Sequence, residues 1–196
     1  MKSWGTILSK EGFLGNSTYI EVFDFIDRSD FLSDELKKYS DLDEPVPIPF
    51  DQTQSAPHMD AIFVDSGKPA EEDTVLEIGT GSGYLTTIMS YLCRRVVSLE
   101  RIPGLSKWAS ANISKYARKN IDLIIGNVNR TCLKEKFDLI ISTASFKEEP
   151  DFLNKFIKPN GRIIFPIGPY PPQRLVTYKN GKRKDIGSVA FVNIVD

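Results

Sequence analysis

The chain has 196 residues, enough for one domain with a sizeable hydrophobic core. Its 25 Lys and Arg nearly balance its 26 Asp and Glu, which argues against broad electrostatic attraction to nucleic acid or to an anionic membrane. No apolar run approaches the ~20 residues of a membrane span, and the amino terminus lacks a signal-peptide pattern, so we expect a cytoplasmic protein.

Cysteine and histidine are scarce, and this restricts the possible chemistry. Cys93 and Cys132 lie far apart without a C-x-x-C spacing. This usage is typical of a reducing cytoplasm and does not predict a metal site. His58 is the single histidine, which excludes mechanisms that need two.

The first predicted element is an amphipathic helix near the amino terminus. Its apolar residues recur at helical spacing, namely Tyr19, Val22, Phe23 and Ile26. Thr18 and Glu21 stand at capping-box positions before this run. Residues 41–49 (DLDEPVPIP) are acidic and rich in proline, so they predict an extended, irregular segment.

A second helix is predicted after the segment PFDQTQSAPHMDAIF. Ser55 is the expected N-cap, Pro57 suits the first turn, and the helix is expected to end near Gly67. Its apolar face consists of Ala56, Met59, Ile62 and Phe63. A polar linker follows, before the next apolar run.

The stretch VLEIGTGSGYL, residues 75–85, predicts a strand, a tight turn and a helix. An apolar run ends in Gly79, Gly81 and Gly83, and a second apolar run at helical spacing follows. Glycine accepts positive φ and lets a ligand approach the backbone, while the helix directs unpaired N–H groups at the turn. This unit is typical of α/β nucleotide-binding sheets, although a turn without a ligand has the same pattern.

Acidic residues around the glycine turn indicate which nucleotide it binds. The third glycine of a dinucleotide motif would fall at Tyr84, and Glu77 would repel a pyrophosphate but attract an ammonium or sulfonium group. Glu100 ends the next apolar run, where an acid can accept both ribose hydroxyls. The pattern fits S-adenosylmethionine better than NAD, with these candidate cofactor-binding residues: Glu77, Gly79, Thr80, Gly81, Gly83 and Glu100.

The rest of the chain alternates helices and strands and ends in a hairpin. The expected elements are a helix over about 104–118, strands at 121–125 and 137–143, a short helix after Pro150 that includes Phe152, Leu153, Phe156 and Ile157, a turn at 159–161 and a strand at 162–167. Two further runs, RLVTY and SVAFVNIV, are joined through Asn180-Gly181. The order predicts a doubly wound α/β sheet, mostly parallel, with an antiparallel C-terminal hairpin.

Several motifs together resemble the protein-L-isoaspartate O-methyltransferase family. They are VLEIGTGSGYL, SLERIPGL, KFDLIIST and KPNGRIIFPIG, preceded by DQTQSAPHM. The resemblance extends from Arg28 and Phe31 to the hairpin at 173–195, and TQSAPHM is its most specific part. It implies one methyltransferase domain with a Rossmann-like sheet over 1–196. Residues 1–70 would form a helical, substrate-side segment, and residues 71–196 the cofactor-binding sheet and hairpin.

The resemblance also implies a reaction, namely methyl transfer to the carboxylate of an L-isoaspartyl residue in a damaged peptide or protein, as the first step of repair. A carboxylate is ionised at neutral pH, so no general base is required. Donors must still orient it, and Ser55, Thr53 and the N–H groups of the following helix are the candidates. Ser55 could instead serve only as a helix cap. His58 is expected in the pocket wall, and Gln173 is expected near the substrate.

One position departs from the family pattern. After the third strand the family usually has an acid that accepts from the adenine amino group, followed by glycine, whereas this chain has Asn127 and Val128. Asn127 keeps a carbonyl acceptor but loses the charge. We expect weaker cofactor binding, by about 1 kcal/mol.

Two other functions share the cofactor half of the chain. The first is N-methylation of a nucleic acid or of a small-molecule amine. Enzymes that act on the amino groups of bases often have an N/D-P-P-aromatic motif after the fourth strand, where this chain reads Ser142-Thr143-Ala144-Ser145. The basic cluster at 179–184 is more typical of a solvated turn than of an RNA contact. A non-catalytic relative that binds S-adenosylmethionine is the other alternative, and the sequence leaves the oligomeric state open.

Overall fold

The computed structural model describes residues 2–131 and 133–195, so the predicted role of Cys132 lies outside the described part. The α-helices are Trp4–Lys10 (α1), Ser17–Phe25 (α2), Pro57–Gly67 (α3), Tyr84–Leu92 (α4) and Pro103–Ser114 (α5). The strands are Val46–Ile48 (β1), Gln52–Gln54 (β2), Thr74–Ile78 (β3), Arg95–Glu100 (β4), Ile121–Ile125 (β5), Phe137–Ser142 (β6), Ile157–Ile167 (β7), Gln173–Lys179 (β8) and Lys182–Val189 (β9). Short 3-10 helices cover Arg28–Phe31, Lys37–Tyr39 and Asp151–Lys155.

The main sheet has the strand order β5-β4-β3-β6-β7-β8-β9. Strands β3 to β7 pair in parallel, and β8 and β9 add antiparallel. This confirms the predicted doubly wound sheet with its C-terminal hairpin. The chain order reverses at β3, which lies between β4 and β6. Ligands of such sheets bind outside the carboxyl ends of the strands at this reversal.

Two hydrophobic clusters cover the two faces of the sheet. Val75 and Leu76 are adjacent, completely buried residues of β3, yet they belong to different clusters because successive strand residues point to opposite faces. The first cluster also contains Trp4 of α1 and Phe63 of α3. The amino-terminal helices therefore share a core with the sheet, although the single-domain organisation over 1–196 stays a prediction.

Both predicted amino-terminal helix caps are wrong. Asn16, not Thr18, caps α2, because its side-chain oxygen accepts from the N–H groups of Thr18 (2.9 Å) and Tyr19 (3.4 Å). Asn is as good a cap as Ser or Thr, so the pattern did not decide between them. The N-cap of α3 is Ala56, without a side-chain hydrogen bond, and Ser55 lies one residue further out. Pro57 occupies the first turn and Gly67 ends the helix, as predicted.

The predicted irregular segment contains a strand. β1 pairs antiparallel with β2, and Phe50 and Asp51 adopt positive φ of 65° and 55° in the turn between them. This fold of the chain brings Thr53 opposite Pro47. Helix α5 covers Pro103–Ser114 and is shorter than predicted, since Ala117 adopts a positive φ of 51° after it.

Two predictions near the carboxyl end also differ from the structure. Residues 159–161 lie inside β7 rather than in a turn, because the pairing with β6 shifts register between Phe137 and Leu139 and the extra residues bulge there. The last predicted run ends as a strand at Val189. No helix of residues 2–131 and 133–195 is long and apolar enough to cross a membrane.

Candidate active site

The candidate site is a cleft at the carboxyl ends of β3, β4 and β6. Three cavities meet in it, and Thr53 and Thr143 line all three. The strand-end cavity contains about 670 Å³ of empty space, a volume that includes its open mouth. Its walls include Gly79, Glu100, Asn127 and Val195. The glycine-turn cavity is bounded by Ser55, Asp60, Glu77 and Tyr84, and the outer cavity by Ser55, His58, Pro172 and Phe191.

The glycine turn brings bare backbone to the cleft. Gly79 has a φ of 96°, and a Cβ there would lie 2.5 Å from Thr143 Oγ1. Gly83 has a φ of 87°, and its Cβ would lie 2.8 Å from Ile113. Positive φ and these contacts both favour glycine. The turn therefore directs the amino terminus of α4 at the cleft with no side chain in between.

Glu77 is buried beside this turn with one oxygen free. Its Oε2 accepts from Thr86 Oγ1 (2.5 Å) and Ser98 Oγ (2.6 Å), and Ser98 also bonds Thr80 Oγ1 at 2.6 Å. Among the described residues, Oε1 has no partner. Burial raises the pKa of Glu77 to about 8, although the two hydroxyl donors lower it. A ligand with an N–H donor and positive charge would satisfy the free oxygen.

Glu100 joins the glycine turn to the end of β4. Its Oε2 accepts from the N–H of Gly81 (3.1 Å), and its Oε1 from the N–H of Ile102 (3.0 Å). Each carboxylate oxygen can still accept a second hydrogen bond. Because Glu100 lines the strand-end cavity, the fixed carboxylate is available to a pair of neighbouring hydroxyls.

Asn127 lies in the wall of the strand-end cavity, and its amide bonds Val195 on the opposite segment. Its Nδ2 donates to the carbonyl of Val195 (2.7 Å), and its Oδ1 accepts from the N–H of Asn129 (2.9 Å). Val128 is buried in the second hydrophobic cluster. The hydrogen bond to Val195 thus joins the segment after β5 to residues 192–195 in the cavity wall.

Thr53 and Ser55 lie where the cavities meet. Thr53 is exposed at the middle of β2, and Ser55 is half-buried before α3. Neither hydroxyl makes a hydrogen bond to the residues that the structure describes. Since Ser55 is not the cap of α3, its hydroxyl is free to bind a ligand in the glycine-turn or outer cavity.

Arg28 holds the backbone on both sides of the β1–β2 hairpin through hydrogen bonds to carbonyl groups. It is 1% exposed, and its guanidinium donates to the carbonyls of Ser55 (3.1 Å) and Glu44 (2.8 Å). It also reaches the carbonyls of Leu42, Ser40 and Tyr39. Burial lowers the pKa of Arg28, and the charge of Asp60 opposes this. These bonds connect an irregular stretch that has few backbone partners of its own.

His58 lies at the rim of the outer cavity. Its Nδ1 is 3.0 Å from each carboxylate oxygen of Asp43, which also accepts from the His58 backbone N–H. The Phe13 ring packs against the imidazole, with ring centroids 5.6 Å apart. His58 lines the outer cavity, and its contact with a substrate stays a prediction.

Gln173 is buried and forms hydrogen bonds with Phe191 and Asn193. Its Nε2 donates to the carbonyl of Phe191 and to Asn193 Oδ1, both at 3.1 Å. Its Oε1 accepts from the N–H of Phe191 at 2.7 Å. A substrate contact of Gln173 stays a prediction, and its present bonds place Phe191 in the wall of the outer cavity.

The sequence patterns did not predict two residues that line the cleft, Asp60 and Thr143. Asp60 is a charged residue between the apolar residues Met59 and Ala61, and this is the sequence feature that could have indicated a functional acid. Thr143 follows β6 directly, and its hydroxyl donates to the carbonyl of Gly79 (2.8 Å). Nothing in the sequence near Thr143 marks it, because the contact joins residues 64 positions apart.

The features of the cleft fit one cofactor class. A glycine turn, the free oxygen of Glu77 and the fixed carboxylate of Glu100 provide acceptors for an ammonium and for ribose hydroxyls. The fold and the site define an α/β methyltransferase that uses S-adenosylmethionine. Residues 4–196 match the family described as Protein-L-isoaspartate(D-aspartate) O-methyltransferase (PCMT), and the chain belongs to this family.

Individual relatives and one solved structure agree with this assignment. A protein-L-isoaspartate O-methyltransferase of Pyrococcus abyssi is 38% identical, and the match covers 96% of this chain and 91% of the relative. One from Methanococcus aeolicus is 34% identical, with 96% and 90% covered. A crystal structure from Plasmodium falciparum, described as such an enzyme in complex with S-adenosyl-L-homocysteine, has a TM-score of 0.86. It is 25% identical, with 98% of this chain and 97% of that chain covered.

Proposed function

We propose that this protein transfers the methyl group of S-adenosylmethionine to the carboxylate of L-isoaspartyl residues in damaged peptides and proteins. The family match over residues 4–196 supports the reaction class. The single observation that carries the substrate assignment is the position of Ser55. Ser55 lines both the glycine-turn cavity and the outer cavity, and its hydroxyl has no hydrogen-bond partner among the residues that the structure describes. It can therefore hold a carboxylate where the two cavities meet.

The roles of the residues follow from this arrangement. The cofactor, when bound, supplies a methyl group on a cationic sulfonium. Glu77 would accept from its ammonium, and Glu100 would accept from its ribose hydroxyls. Asn127 would face the adenine from the cavity wall, where its amide donates to the carbonyl of Val195. Gly79, Thr80, Gly81 and Gly83 form the turn that keeps side chains out of the cofactor path.

On the substrate side, the chain orients an anion and does not remove a proton. The attacking carboxylate is ionised at neutral pH, so alignment and exclusion of water carry the catalysis. Ser55 and Thr53 donate to the carboxylate, and His58 and Phe191 form the wall around the peptide. Gln173 positions that wall through its bonds to Phe191.

The test compares two peptides that differ only in one aspartyl or isoaspartyl linkage. With labelled S-adenosylmethionine, we expect base-labile label on the isoaspartyl peptide alone. Ser55→Ala should lower kcat/KM roughly 10- to 100-fold, because a hydrogen bond to a charged group contributes about 1.5–3 kcal/mol. The matched control is Ser66→Ala on the far turn of α3, which should keep full activity.

Three results would contradict the proposal. They are equal labelling of both peptides, label on tRNA instead, and cofactor binding without any transfer. The basic cluster at 179–184 gives no support to an RNA substrate, because it lies at the end of β8 that is away from the cleft. Lys179 in this cluster pairs with Arg162 of β7. At the other end of β8, Arg174 pairs with Ile167 near the cleft.

We propose a cytoplasmic setting and isoaspartyl peptides and proteins as the partners. The thiol of Cys93 is free and buried, which suits a reducing compartment. The charge of residues 1–196 is nearly balanced, and no nucleic-acid partner is proposed. Residues 1–70 would form the substrate side of one domain and 71–196 the cofactor side.

A further inference from the structure

Asp60 is a buried acid for which the described structure holds no partner. It lies in the first turn of α3, is 3% exposed and lines the glycine-turn cavity. Its carboxylate makes no hydrogen bond or ion pair to residues 2–131 and 133–195. Arg28 is near enough to lower the pKa of Asp60, but its donors are bonded to backbone carbonyls. A buried carboxylate without donors is costly, so a structural role does not explain it.

Two more unpartnered polar atoms face the same cavity. Glu77 Oε1 and the Tyr84 hydroxyl are buried, and neither has a hydrogen-bond partner among the described residues. All three residues line the glycine-turn cavity, and the charge of Asp60 raises the pKa of the other two groups. The cavity thus offers two carboxylates and one hydroxyl, and no described cation contacts either carboxylate. Such a set favours a compact cation with several N–H donors.

We propose that Asp60 binds the α-ammonium group of the cofactor's methionine part, together with Glu77. An ammonium has three donors, enough for Asp60, Glu77 Oε1 and one further acceptor. The inference rests on the proposed function, since that function requires a cofactor with an amino group. It adds to the cofactor site a residue of α3, the helix that also contains His58 in the wall of the outer cavity. Binding of the cofactor would therefore contact α3 directly.

Burial of the two acids supports this role. Desolvation raises the pKa of Asp60 to about 7 and that of Glu77 to about 8. Each of the two acids is therefore partly protonated near neutral pH, and an ammonium that binds there would take the place of a proton. The affinity gained in this way depends on the amino group and on no other part of the cofactor.

The test uses two ligands that differ only in this amino group. S-adenosylhomocysteine and its deaminated analogue are titrated calorimetrically into the wild-type protein and into Asp60→Asn. We expect Asp60→Asn to bind S-adenosylhomocysteine at least 10-fold more weakly and the analogue within twofold of wild type. The matched control is Asp65→Asn, on the same helix but outside the cavity, which should change neither affinity.

The outcomes separate this inference from the proposed function. An equal loss for both ligands, or no loss for either, overturns the role of Asp60 even where isoaspartyl methylation persists. Failure of the wild-type protein to bind S-adenosylhomocysteine overturns both. Asp60→Ser gives a second comparison should Asp60→Asn fold poorly, and an unchanged preference for the amino form in that variant also overturns the inference.

Discussion

Glu77→Gln should make the protein without cofactor more stable at neutral pH. The buried carboxyl has a pKa of about 8 in the folded chain, against an ordinary value of 4.5. Because the folded pKa is the higher one, its contribution to stability is full below pH 4.5 and is lost as the pH rises to 8. Asp60 and Glu100 also raise this pKa, whereas the donors Ser98 and Thr86 lower it.

The magnitude follows from the same two values. One pH unit of pKa difference corresponds to about 1.4 kcal/mol, so the interval from 4.5 to 7 removes roughly 3 kcal/mol of unfolding free energy. The neutral amide of glutamine avoids this loss and can still accept from Thr86 and Ser98. For a chain of this length the gain would raise Tm by about 6–12 °C at pH 7.

The assay is urea unfolding of wild type and Glu77→Gln at pH 5 and pH 8. The stability difference should grow from about 1 kcal/mol at pH 5 to about 4 kcal/mol at pH 8. Glu72→Gln, at an exposed position, is the control and should stay within about 0.5 kcal/mol of wild type. A Glu77→Gln protein less stable than wild type at pH 8 would refute the reasoning, because the carboxylate would then be a net structural acceptor.

Three further predictions concern the cofactor cleft and its support. Glu100→Ala should weaken S-adenosylhomocysteine binding roughly 10- to 100-fold, and unchanged calorimetric affinity would contradict its ribose role. Gly83→Ala should cost about 2–4 kcal/mol in urea unfolding, because it adds a clash with Ile113 to an unfavourable φ. Gly12→Ala, with a similar φ of 85° and open space, should cost only about 1 kcal/mol and isolates the backbone effect. Arg28→Lys should cost about 2–4 kcal/mol through lost carbonyl contacts, and a change below 0.5 kcal/mol would disprove its anchoring role.

Local patterns predicted the parallel part of the fold well. The run at 75–78 is apolar apart from Glu77, and the structure shows a central strand buried on both faces. The glycines after it could be interpreted because positive φ is a property of single residues. Asn180-Gly181 predicted the hairpin for the same reason, and both residues adopt positive φ.

Contacts between distant residues escaped prediction. The amide of Asn127 bonds Val195, 68 positions away, and no local pattern indicates this contact. Its expected contact with the adenine stays a prediction. The sequence pattern did not mark Asp60, because its neighbours predict an apolar helix face. Only the structure shows that its carboxylate lines a cavity without a hydrogen-bond partner among the described residues. The Ser55 cap failed because the helix starts at Pro57, one residue later than a Ser55 cap requires. Such features depend on tertiary packing, which propensity and spacing do not contain.

The anchoring of residues 191–195 has a practical consequence for protein engineering. Backbone hydrogen bonds of Ser145 to Val192 and Ile194 hold this stretch, together with the side chains of Gln173 and Asn127. A bulky label attached within this stretch would lie in the walls of the outer and strand-end cavities. Labels intended to leave ligand exchange undisturbed therefore belong outside residues 191–195.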